Sequence, residues 1–376
     1  MRKAQVIIIG GGLAGLTAAI HLSQHNLEVI LIEKESYPHH KVCGEYLSSE
    51  VFPYLNSLEI NLATFRPPEI NHLEFSSISG NSISCELEMG GIGISRYSMD
   101  NYLFEKTKAL GCKFIQATVT SVKFKNDHFM VFTQDENYSS EFVLGAFGKR
   151  SNLDKSLKRD FVENRSGWLA VKAHYKTKSV DFPSNKVYLH NFKGGYCGLS
   201  KTELNTINVC YLATYSSFKE YRSTDDFREE VLMRNPHLRE FFVTSEIAMA
   251  RELSIGQVSF EKKSLIEDHI LMLGDSAGLI HPLCGNGMAM AIHSAKIASE
   301  KILQFYSNEH FYRLDVEKSY KEEWRKEFAI RLRSGRILQR LLLNQTASEV
   351  SLKLINRIPG LLPQIIKRTH GKKVYA

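Results

Sequence analysis

Two glycine-rich segments carry the strongest chemical signal in this sequence. The first, IIIGGGLAGLTAA, places Gly10, Gly12 and Gly15 in the spacing GxGxxG, between an apolar β-branched run and a helical pattern that begins at Leu13. In such a motif the first glycine permits a tight turn, the second lets a pyrophosphate approach the backbone, and the third lets the helix pack closely on the strand. The helix N-terminus then faces the phosphates. The pattern therefore predicts a dinucleotide-binding turn.

An acidic residue completes this pattern. The next apolar run, EVILIE, predicts a strand that ends at Glu33. A carboxylate at the end of this strand can accept hydrogen bonds from ribose hydroxyls. Such an acid favours an unphosphorylated ribose and argues against NADP, but the pattern does not distinguish FAD from NAD.

The second segment, GDSAGLIHPLCGNGMA, spans residues 274–289 and lacks the GxGxxG spacing. The run HILMLGD predicts a buried strand before it, and GMAMAIHSAKIASEKILQF has the spacing of a helix after it. Asp275 can accept hydrogen bonds from a polyol chain, and the amides at the helix N-terminus can face an electron-rich ring edge. This order of strand, acid, loop and helix suits a second part of one long ligand.

Together these segments resemble the FAD-dependent oxidoreductases that share the fold of para-hydroxybenzoate hydroxylase. In that group a GD…P…G.G segment binds the ribityl chain and the flavin ring. This chain matches the segment at Asp275, Pro282, Gly285, Asn286, Gly287 and Met288. The resemblance implies that the first loop binds the adenosine diphosphate half of FAD and the second loop the flavin half. Neighbouring residues expected to contact the cofactor are Leu13, Ala14, Lys34 and Gly274.

Further matches extend this resemblance. HKVCGEYLS, with Lys41 and Cys43, resembles a loop that runs beside the cofactor in the geranylgeranyl reductase branch. ISRYSMDNYLFEKTKALGC resembles the segment whose arginine, here Arg96, contacts FAD, and Val119 matches a position whose backbone meets the adenine. The sequence departs from the family pattern at residues 146–148, where many relatives have an Asp-Gly associated with the pyrophosphate and with NAD(P)H use and this chain has Ala-Phe-Gly. The electron donor is therefore left open, with NAD(P)H among the candidates.

Two reactions fit the resemblance. The first is reduction of a carbon–carbon double bond in a hydrophobic, isoprenoid- or polyketide-like substrate, with the Cys43 thiol as the candidate proton donor. The alternative is a monooxygenase that hydroxylates or epoxidises a hydrophobic or aromatic substrate. Trp168 and Lys172 resemble residues of flavin halogenases, but the paired-tryptophan motif of those enzymes is missing. A non-catalytic flavin-binding protein and an NAD dehydrogenase are two further hypotheses, and the dehydrogenase leaves residues 274–289 unexplained.

Three further residues each have two interpretations. Cys284 either fits beside the ring as a small residue or reacts chemically. Tyr196 either lines the substrate cavity or packs in the core or at a sheet edge. His281 either transfers protons, or caps the backbone or faces solvent. The structural interpretation is favoured for all three.

Composition limits the class of protein. The net charge of +7 is modest and gives no reason to expect a nucleic-acid partner. The six cysteines form no CxxC, and no His, Asp or Glu cluster has metal-ligand spacing, so neither a metal site nor a disulfide framework is expected. No stretch approaches the roughly 20 apolar residues of a membrane span. We therefore expect a cytoplasmic protein.

The order of the predicted elements indicates an α/β fold. We expect a discontinuous, Rossmann-like FAD-binding domain formed by residues 1–49, 96–166 and 262–304. A β-sheet substrate domain that covers the flavin is expected from residues 50–95 and 167–261. Within it, TDDFREEVLMRNPHLREFF predicts one helical stretch and ELSIGQVSF predicts a strand. Residues 305–376 are expected to form a helical C-terminal region.

The end of the chain, LKLINRIPGLLPQIIKRTHGKK (residues 352–373), mixes apolar residues with Lys and Arg. Such segments can rest on anionic bilayers, where each basic residue near the surface contributes about 1 kcal/mol. The alternative is a pair of helices, separated at Pro359 and Pro363, that pack on the FAD-binding domain and leave their basic residues in solvent. The expected partner is a small hydrophobic substrate, and peripheral membrane contact through this region is left open.

Overall fold

The computed structural model describes residues 2–164, 166–178, 182–358 and 360–376. In chain order, its strands are β1 (Arg2–Ile9), β2 (Val29–Glu33), β3 (Tyr46–Ser48), β4 (Glu69–Ser76), β5 (Ser82–Gly93), β6 (Lys113–Gln116), β7 (Val119–Lys125), β8 (His128–Thr133), β9 (Asn137–Gly145), β10 (Trp168–Thr177), β11 (Lys186–Phe192), β12 (Gly195–Lys201), β13 (Ile207–Thr214), β14 (Ser245–Ile247), β15 (Leu253–Gly256), β16 (Ile266–Glu267) and β17 (Ile270–Met272).

The α-helices follow the same numbering along the chain. They are α1 (Leu13–Gln24), α2 (Phe52–Ser57), α3 (Arg96–Ala109), α4 (Asn152–Ser156), α5 (Tyr215–Phe218), α6 (Thr224–Glu230), α7 (Pro236–Val243), α8 (Gly287–Ser307), α9 (Arg313–Leu343), α10 (Gln345–Arg357) and α11 (Leu361–Thr369).

The first sheet places both predicted nucleotide-binding strands at its centre. Its order is β16-β17-β9-β1-β2-β6, with β9, β1, β2, β6 and β17 paired in parallel. β7 and β8 extend it from β9 in antiparallel pairing. The apolar runs of β1 and β2 are buried throughout their paired registers, as expected for a sheet covered on both faces. The carboxyl ends of these two strands therefore bring Gly10 and Glu33 to one edge of the sheet.

The second sheet is mixed. Its order is β14-β10-β13-β12-β11-β4-β5-β3, and β15 pairs with β10. The β11–β4 pair is parallel, and the other pairs are antiparallel. A separate apolar core lies between this sheet and the helices α6 and α7. Residues before and after β10 thus contribute to one sheet, which faces the carboxyl edge of the first.

The helix α1 packs on both α3 and α8 in the core of the first sheet. Small residues let the second glycine segment lie close to both α1 and α8: a Cβ on Gly274 would lie 3.2 Å from the Cβ of Ala14 and 3.4 Å from the Cβ of Ala291. At the far end of the chain, α9 packs on α8, and α10 and α11 pack on α9 and on β5. Across the described residues, none of the helices has both the length and the apolar character needed to span a bilayer.

The α/β class with an FAD-domain-like parallel sheet, a β-sheet region and a helical C-terminal region is confirmed. Two local predictions were wrong. The stretch 224–242 forms α6, which ends at Glu230, a 3-10 turn at Leu232–Arg234, and the start of α7. Pro236 disfavours helical backbone at Asn235, whose side chain instead caps α7 at the amide of His237 (2.9 Å). The strand predicted from ELSIGQVSF ends at Gly256, because Gln257 has a left-handed backbone with φ of 54°.

Candidate active site

One cavity of about 1400 Å³ runs between the two sheets. It lies at the carboxyl ends of β1 and β2, where ligands bind in open α/β sheets. Of the residues predicted to contact the cofactor, those that line this cavity are Gly10, Gly12, Leu13, Ala14, Glu33, Lys34, Lys41, Cys43, Arg96, Val119, Gly274, Asp275, Pro282, Gly285, Asn286, Gly287 and Met288.

The three glycines of the first loop meet different surroundings. A Cβ on Gly10, whose φ is 105°, would lie 2.4 Å from the carbonyl oxygen of Ala146. A Cβ on Gly15 would lie 1.9 Å from the carbonyl oxygen of Gly10, so this glycine serves the packing of α1 on β1 and does not line the cavity. A Cβ on Gly12 would meet nothing nearer than Arg96 Nη2 at 3.8 Å. The space beside Gly12 is therefore open to a ligand.

Glu33 closes the same loop from the end of β2. Its Oε2 accepts a hydrogen bond from the Gly11 amide (2.6 Å), and its Oε1 accepts from the amides of Lys34 (2.9 Å) and Glu35 (3.1 Å). A carboxylate has about four acceptor positions, so this one can still accept from a ligand hydroxyl. Glu33 thus shapes the glycine loop as well as facing the cavity.

Two cations share one buried anion beside Gly12. The Arg96 guanidinium binds both oxygens of Asp100 (2.6 and 2.7 Å), and Lys41 Nζ lies 3.0 Å from Asp100 Oδ2. Burial alone would raise the pKa of Asp100, but Arg96 and Lys41 hold it below its usual range. The group therefore carries one surplus positive charge next to the open space at Gly12, which suits a pyrophosphate.

The second glycine segment lies across the cavity. Gly274 and Gly285 have φ of 54° and 64°, and α8 begins at Gly287 with its N-terminus at the cavity wall. The side chain of Asn286 is engaged elsewhere: its Nδ2 donates to Glu50 Oε2 (3.3 Å) and to the carbonyl of Thr369 (3.2 Å). Asn286 therefore faces a ligand mainly through its backbone.

The cavity fits an extended dinucleotide such as FAD. It is bordered by both glycine loops, by the N-termini of α1 and α8, and by the surplus positive charge of the Arg96–Lys41–Asp100 group. Open space at Gly12 admits the pyrophosphate, and Glu33 and Asp275 lie at separate points of the same cavity. The individual contacts of these residues with FAD remain predictions.

A buried ionic cluster, not predicted from the sequence, lies beside these residues. Glu45 is fully buried and forms an ion pair with the equally buried Lys172. Glu45 Oε1 pairs with the Lys172 ammonium and also accepts a hydrogen bond from the Arg96 amide (2.8 Å). Glu45 Oε2 lies 2.6 Å from His174 Nε2. The His40 ring packs edge-on against His174, with 5.2 Å between ring centroids. We call these four residues (His40, Glu45, Lys172 and His174) the Glu45 cluster.

Three residues of the Glu45 cluster carry side chains of the metal-ligating type. The ligand atoms of His40, Glu45 and His174 all lie within 4.8 Å of one another, a grouping that sequence spacing did not reveal. However, the Lys172 ammonium already occupies the same carboxylate and opposes a second cation there. One signal was available: in the segment WLAVKAHYK, Lys172 and His174 lie on the same face of the strand and follow an apolar run, before the strand reaches its exposed end at Lys176.

The cysteines of the cavity differ in their surroundings. Cys43 is half-buried, and its Sγ accepts the Glu45 amide at 3.4 Å. Burial raises the pKa of both Cys210 and Cys284 to about 12, so each is a neutral thiol at neutral pH. Cys284 thus packs as a small neutral side chain beside Gly285, as its sequence position favours.

Tyr196 and His281 lie at the apolar side of the second segment. Tyr196 is buried and lines the cavity, so it is both a core and a cavity residue. The ring of His281 packs on Phe260, with 4.5 Å between centroids, and its Nδ1 accepts the Leu283 amide at 3.5 Å. Burial lowers the pKa of His281 to about 3, so it stays neutral in its capping position.

The cavity continues beyond the glycine segments into an apolar end. Its walls there are side chains of β4, β5 and β11, namely Leu73, Leu87, Val187 and Leu189. The cavity therefore combines a polar part, with the glycine loops and cations, and an apolar part that can hold a hydrophobic molecule.

Comparison with known proteins connects this cavity to a family. Residues 3–329 match the family described as "FAD binding domain". A digeranylgeranylglycerophospholipid reductase from Methanococcus vannielii is 22% identical over 386 aligned residues, covering 95% of this chain and 96% of that protein. An FAD-dependent monooxygenase from Penicillium brasilianum is 24% identical over 332 aligned residues, covering 78% of this chain and 68% of that protein.

Solved structures show the same fold. A geranylgeranyl bacteriochlorophyll reductase-like protein from Thermoplasma acidophilum superposes with a TM-score of 0.78 at 18% identity, over 98% of this chain and 96% of that chain. Flavin-dependent halogenases also match, so the relatives include reductases, monooxygenases and halogenases. The matched residues 3–329 include both glycine segments and most residues that line the cavity. The chain is an FAD-dependent oxidoreductase that belongs to the FAD-binding domain family.

Proposed function

We propose that this enzyme reduces a carbon–carbon double bond of a hydrophobic substrate of the isoprenoid or polyketide type. The observation that carries this proposal is the continuity of the cavity from the glycine segments to the apolar end lined by Leu73, Leu87, Val187 and Leu189. An apolar wall of this kind binds an alkyl or polyene chain by excluding water from it. The similarity to a digeranylgeranylglycerophospholipid reductase over nearly the whole of both chains supports the same class of substrate.

The chain's own residues would divide the work between binding and proton supply. The amides at the start of α1 and the Arg96–Lys41 pair would hold the pyrophosphate, and Glu33 would hold the ribose. When bound in its reduced form, FAD supplies a hydride. The Cys43 thiol would give its proton to the carbon next to the one that receives the hydride, and water would then reprotonate the thiolate.

A monooxygenase is the second candidate, because an FAD-dependent monooxygenase is among the relatives and shares the fold. Oxygen separates the two reactions. With chemically reduced enzyme under argon and a polyprenyl substrate, the reductase yields a product heavier by two hydrogens. A reaction that needs oxygen and adds an oxygen atom to the product would replace the reductase proposal with the monooxygenase.

Cys43→Ser tests the proton donor. We expect the variant to keep FAD and to lose about 10²–10⁴-fold in the rate of product formation, because a hydroxyl is a far weaker acid than a thiol. Cys210→Ser is the matched control, since Cys210 also lines the cavity and is held neutral by burial. Single-turnover product formation from reduced enzyme is the measurement. A loss below tenfold, or an equal loss in the control, assigns Cys43 to packing.

Glu33→Ala tests the ribose ligand. We expect FAD affinity to fall by about 1–3 kcal/mol, because a charge-assisted hydrogen bond and the acceptor that orders three loop amides are lost together. Glu28→Ala, which removes an exposed carboxylate just before β2 and outside the cavity lining, is the control. Titration of apoprotein with FAD, followed by flavin fluorescence, gives the affinity. FAD retention on dialysis that matches the unsubstituted protein contradicts the assignment.

A further inference from the structure

The positive charge of this protein is concentrated at its C-terminal end. Residues 328–376 contain ten Lys and Arg and a single acidic residue, Glu349. The preceding residues 1–327 contain 38 Lys and Arg against 40 Asp and Glu, so the net charge of +7 arises entirely from the last segment. This segment corresponds to the second half of α9 and to α10 and α11.

The cations of this segment divide between the interior and the surface. Arg331 is buried and pairs with Glu50 (3.2 Å). By contrast, Arg333 and Arg340 on α9, and Lys353 and Arg357 on α10, are exposed. Most of the surplus charge therefore faces solvent.

Exposed apolar side chains lie among these cations. Ile330, Ile337 and Leu341 are 69%, 51% and 42% exposed, and their spacing places them in one stripe along α9. Arg333 and Arg340 flank the stripe on the same side of the helix. Along α10 and at its C-terminal end, Val350, Leu354 and Ile358 are also exposed at intervals of four residues, next to the two cations of this helix. We call these two stripes and their cations the basic–apolar face.

The buried sides of α10 and α11 cover the apolar end of the cavity. Leu352 is only 3% exposed and packs with Phe75 and Ile83, and Leu362 and Leu189 join this cluster. On α11, Ile366 packs on Tyr46 and Leu87, both of which line the cavity. The helices α10 and α11 thus pack mainly on α9 and on the second sheet, rather than on the FAD-binding domain as the packing alternative expected. Pro363 lies within α11 and does not separate two helices, and the predicted break at Pro359 lies outside the described residues. The face open to a partner lies instead on α9 and α10.

We propose that the basic–apolar face docks the enzyme on an anionic lipid bilayer. Basic residues attract the surface charge of the bilayer, and the isoleucines and leucines insert at the level of the headgroups, a combination typical of interfacial helices. The apolar stripes favour a bilayer over a wholly polar polyanion such as a nucleic acid. Docking through this face places the covered apolar end of the cavity next to the lipid. The inference does not depend on which reaction the enzyme catalyses.

Co-sedimentation of the FAD-loaded enzyme with vesicles tests this proposal. We expect binding to vesicles of equal parts phosphatidylglycerol and phosphatidylcholine in low salt, little binding to phosphatidylcholine alone, and release at high salt. The double variant Arg333→Gln/Arg340→Gln should weaken partitioning about thirtyfold, because each cation near the surface is worth about a fivefold change. Ile330→Asn/Ile337→Asn should weaken it at least about tenfold.

Matched controls lie at the other end of the same helix. Leu314→Asn and Lys318→Gln change an exposed apolar residue and an exposed cation outside the basic–apolar face, and both should bind as the unsubstituted enzyme does. Flavin absorbance of each variant verifies folding, because all of these positions lie away from the cavity. Enzyme that stays in the supernatant with anionic vesicles at low salt overturns the proposal. So does equal binding to neutral vesicles, or an equal loss in the controls.

Discussion

Gly12→Val should yield a folded protein that purifies without FAD. A Cβ at Gly12 would meet no protein atom closer than Arg96 Nη2 at 3.8 Å, so the apoprotein has room for a larger side chain. The same space is the one that a pyrophosphate needs when it approaches the backbone at the start of α1. We expect FAD affinity to fall by about a hundredfold or more, which corresponds to about 2.7 kcal/mol.

Two comparisons separate this effect from damage to the fold. Gly167→Val places the same side chain at an exposed glycine with no atom within 4 Å of its Cβ, and it should retain FAD. Gly15→Val should lose the fold itself, because its Cβ would lie 1.9 Å from the carbonyl oxygen of Gly10. Circular dichroism gives the folded state, and the ratio of flavin to protein absorbance gives the bound cofactor. A yellow Gly12→Val protein, or an unfolded one, contradicts the role assigned to Gly12.

Local motifs explain why the cofactor segments were predictable. The constraint on Gly15 comes from the nearby carbonyl group of Gly10, and Glu33 lies at the end of β2, the strand that follows β1 in the chain and pairs with it. Such constraints leave a fixed spacing in the sequence. The break at Asn235-Pro236 was also readable, since the residue before a proline avoids helical backbone, and it was overlooked because the flanking residues favour a helix.

Long-range pairing explains what the sequence did not reveal. Glu45 and Lys172 are 127 residues apart, and no spacing rule connects a loop residue with a position in the middle of a strand. Likewise, the sequence of α10 and α11 showed which residues are apolar but not that Leu352 faces the second sheet while Leu354 faces solvent. Both features depend on how separate elements meet, which periodicity within one element does not encode.

Lys172→Met should be the most destabilising of the conservative substitutions near the cavity. It leaves the carboxylate of Glu45, which is fully buried, without its cation, and breaking a buried pair in this way typically costs about 3–5 kcal/mol. His174 and the Arg96 amide still donate to Glu45, so we expect the lower end of this range. Lys176→Met on the same strand, at an exposed position, should change the free energy of unfolding by less than about 0.5 kcal/mol.

The stability that Lys172→Met loses should depend on pH. Burial alone would raise the pKa of Glu45, but Lys172 and His174 hold it below its usual value. A carboxyl group with a depressed pKa in the folded state stabilises the protein above its unfolded pKa of about 4.5, and this contribution disappears as the pH falls through the folded pKa. Without Lys172, the buried carboxyl group takes up a proton more readily. The difference between Lys172→Met and the unsubstituted protein should therefore be largest at neutral pH and shrink towards pH 4.5.

Urea unfolding followed by circular dichroism, at several pH values, measures this difference. The double variant Glu45→Gln/Lys172→Met removes both charges, so it should recover part of the stability that Lys172→Met loses at neutral pH. That recovery is the decisive observation, because a mere packing defect at Lys172 would persist when Glu45 is also neutral. A double variant no more stable than Lys172→Met, or a loss of stability that does not change with pH, would show that the loss does not come from the broken Glu45–Lys172 ion pair.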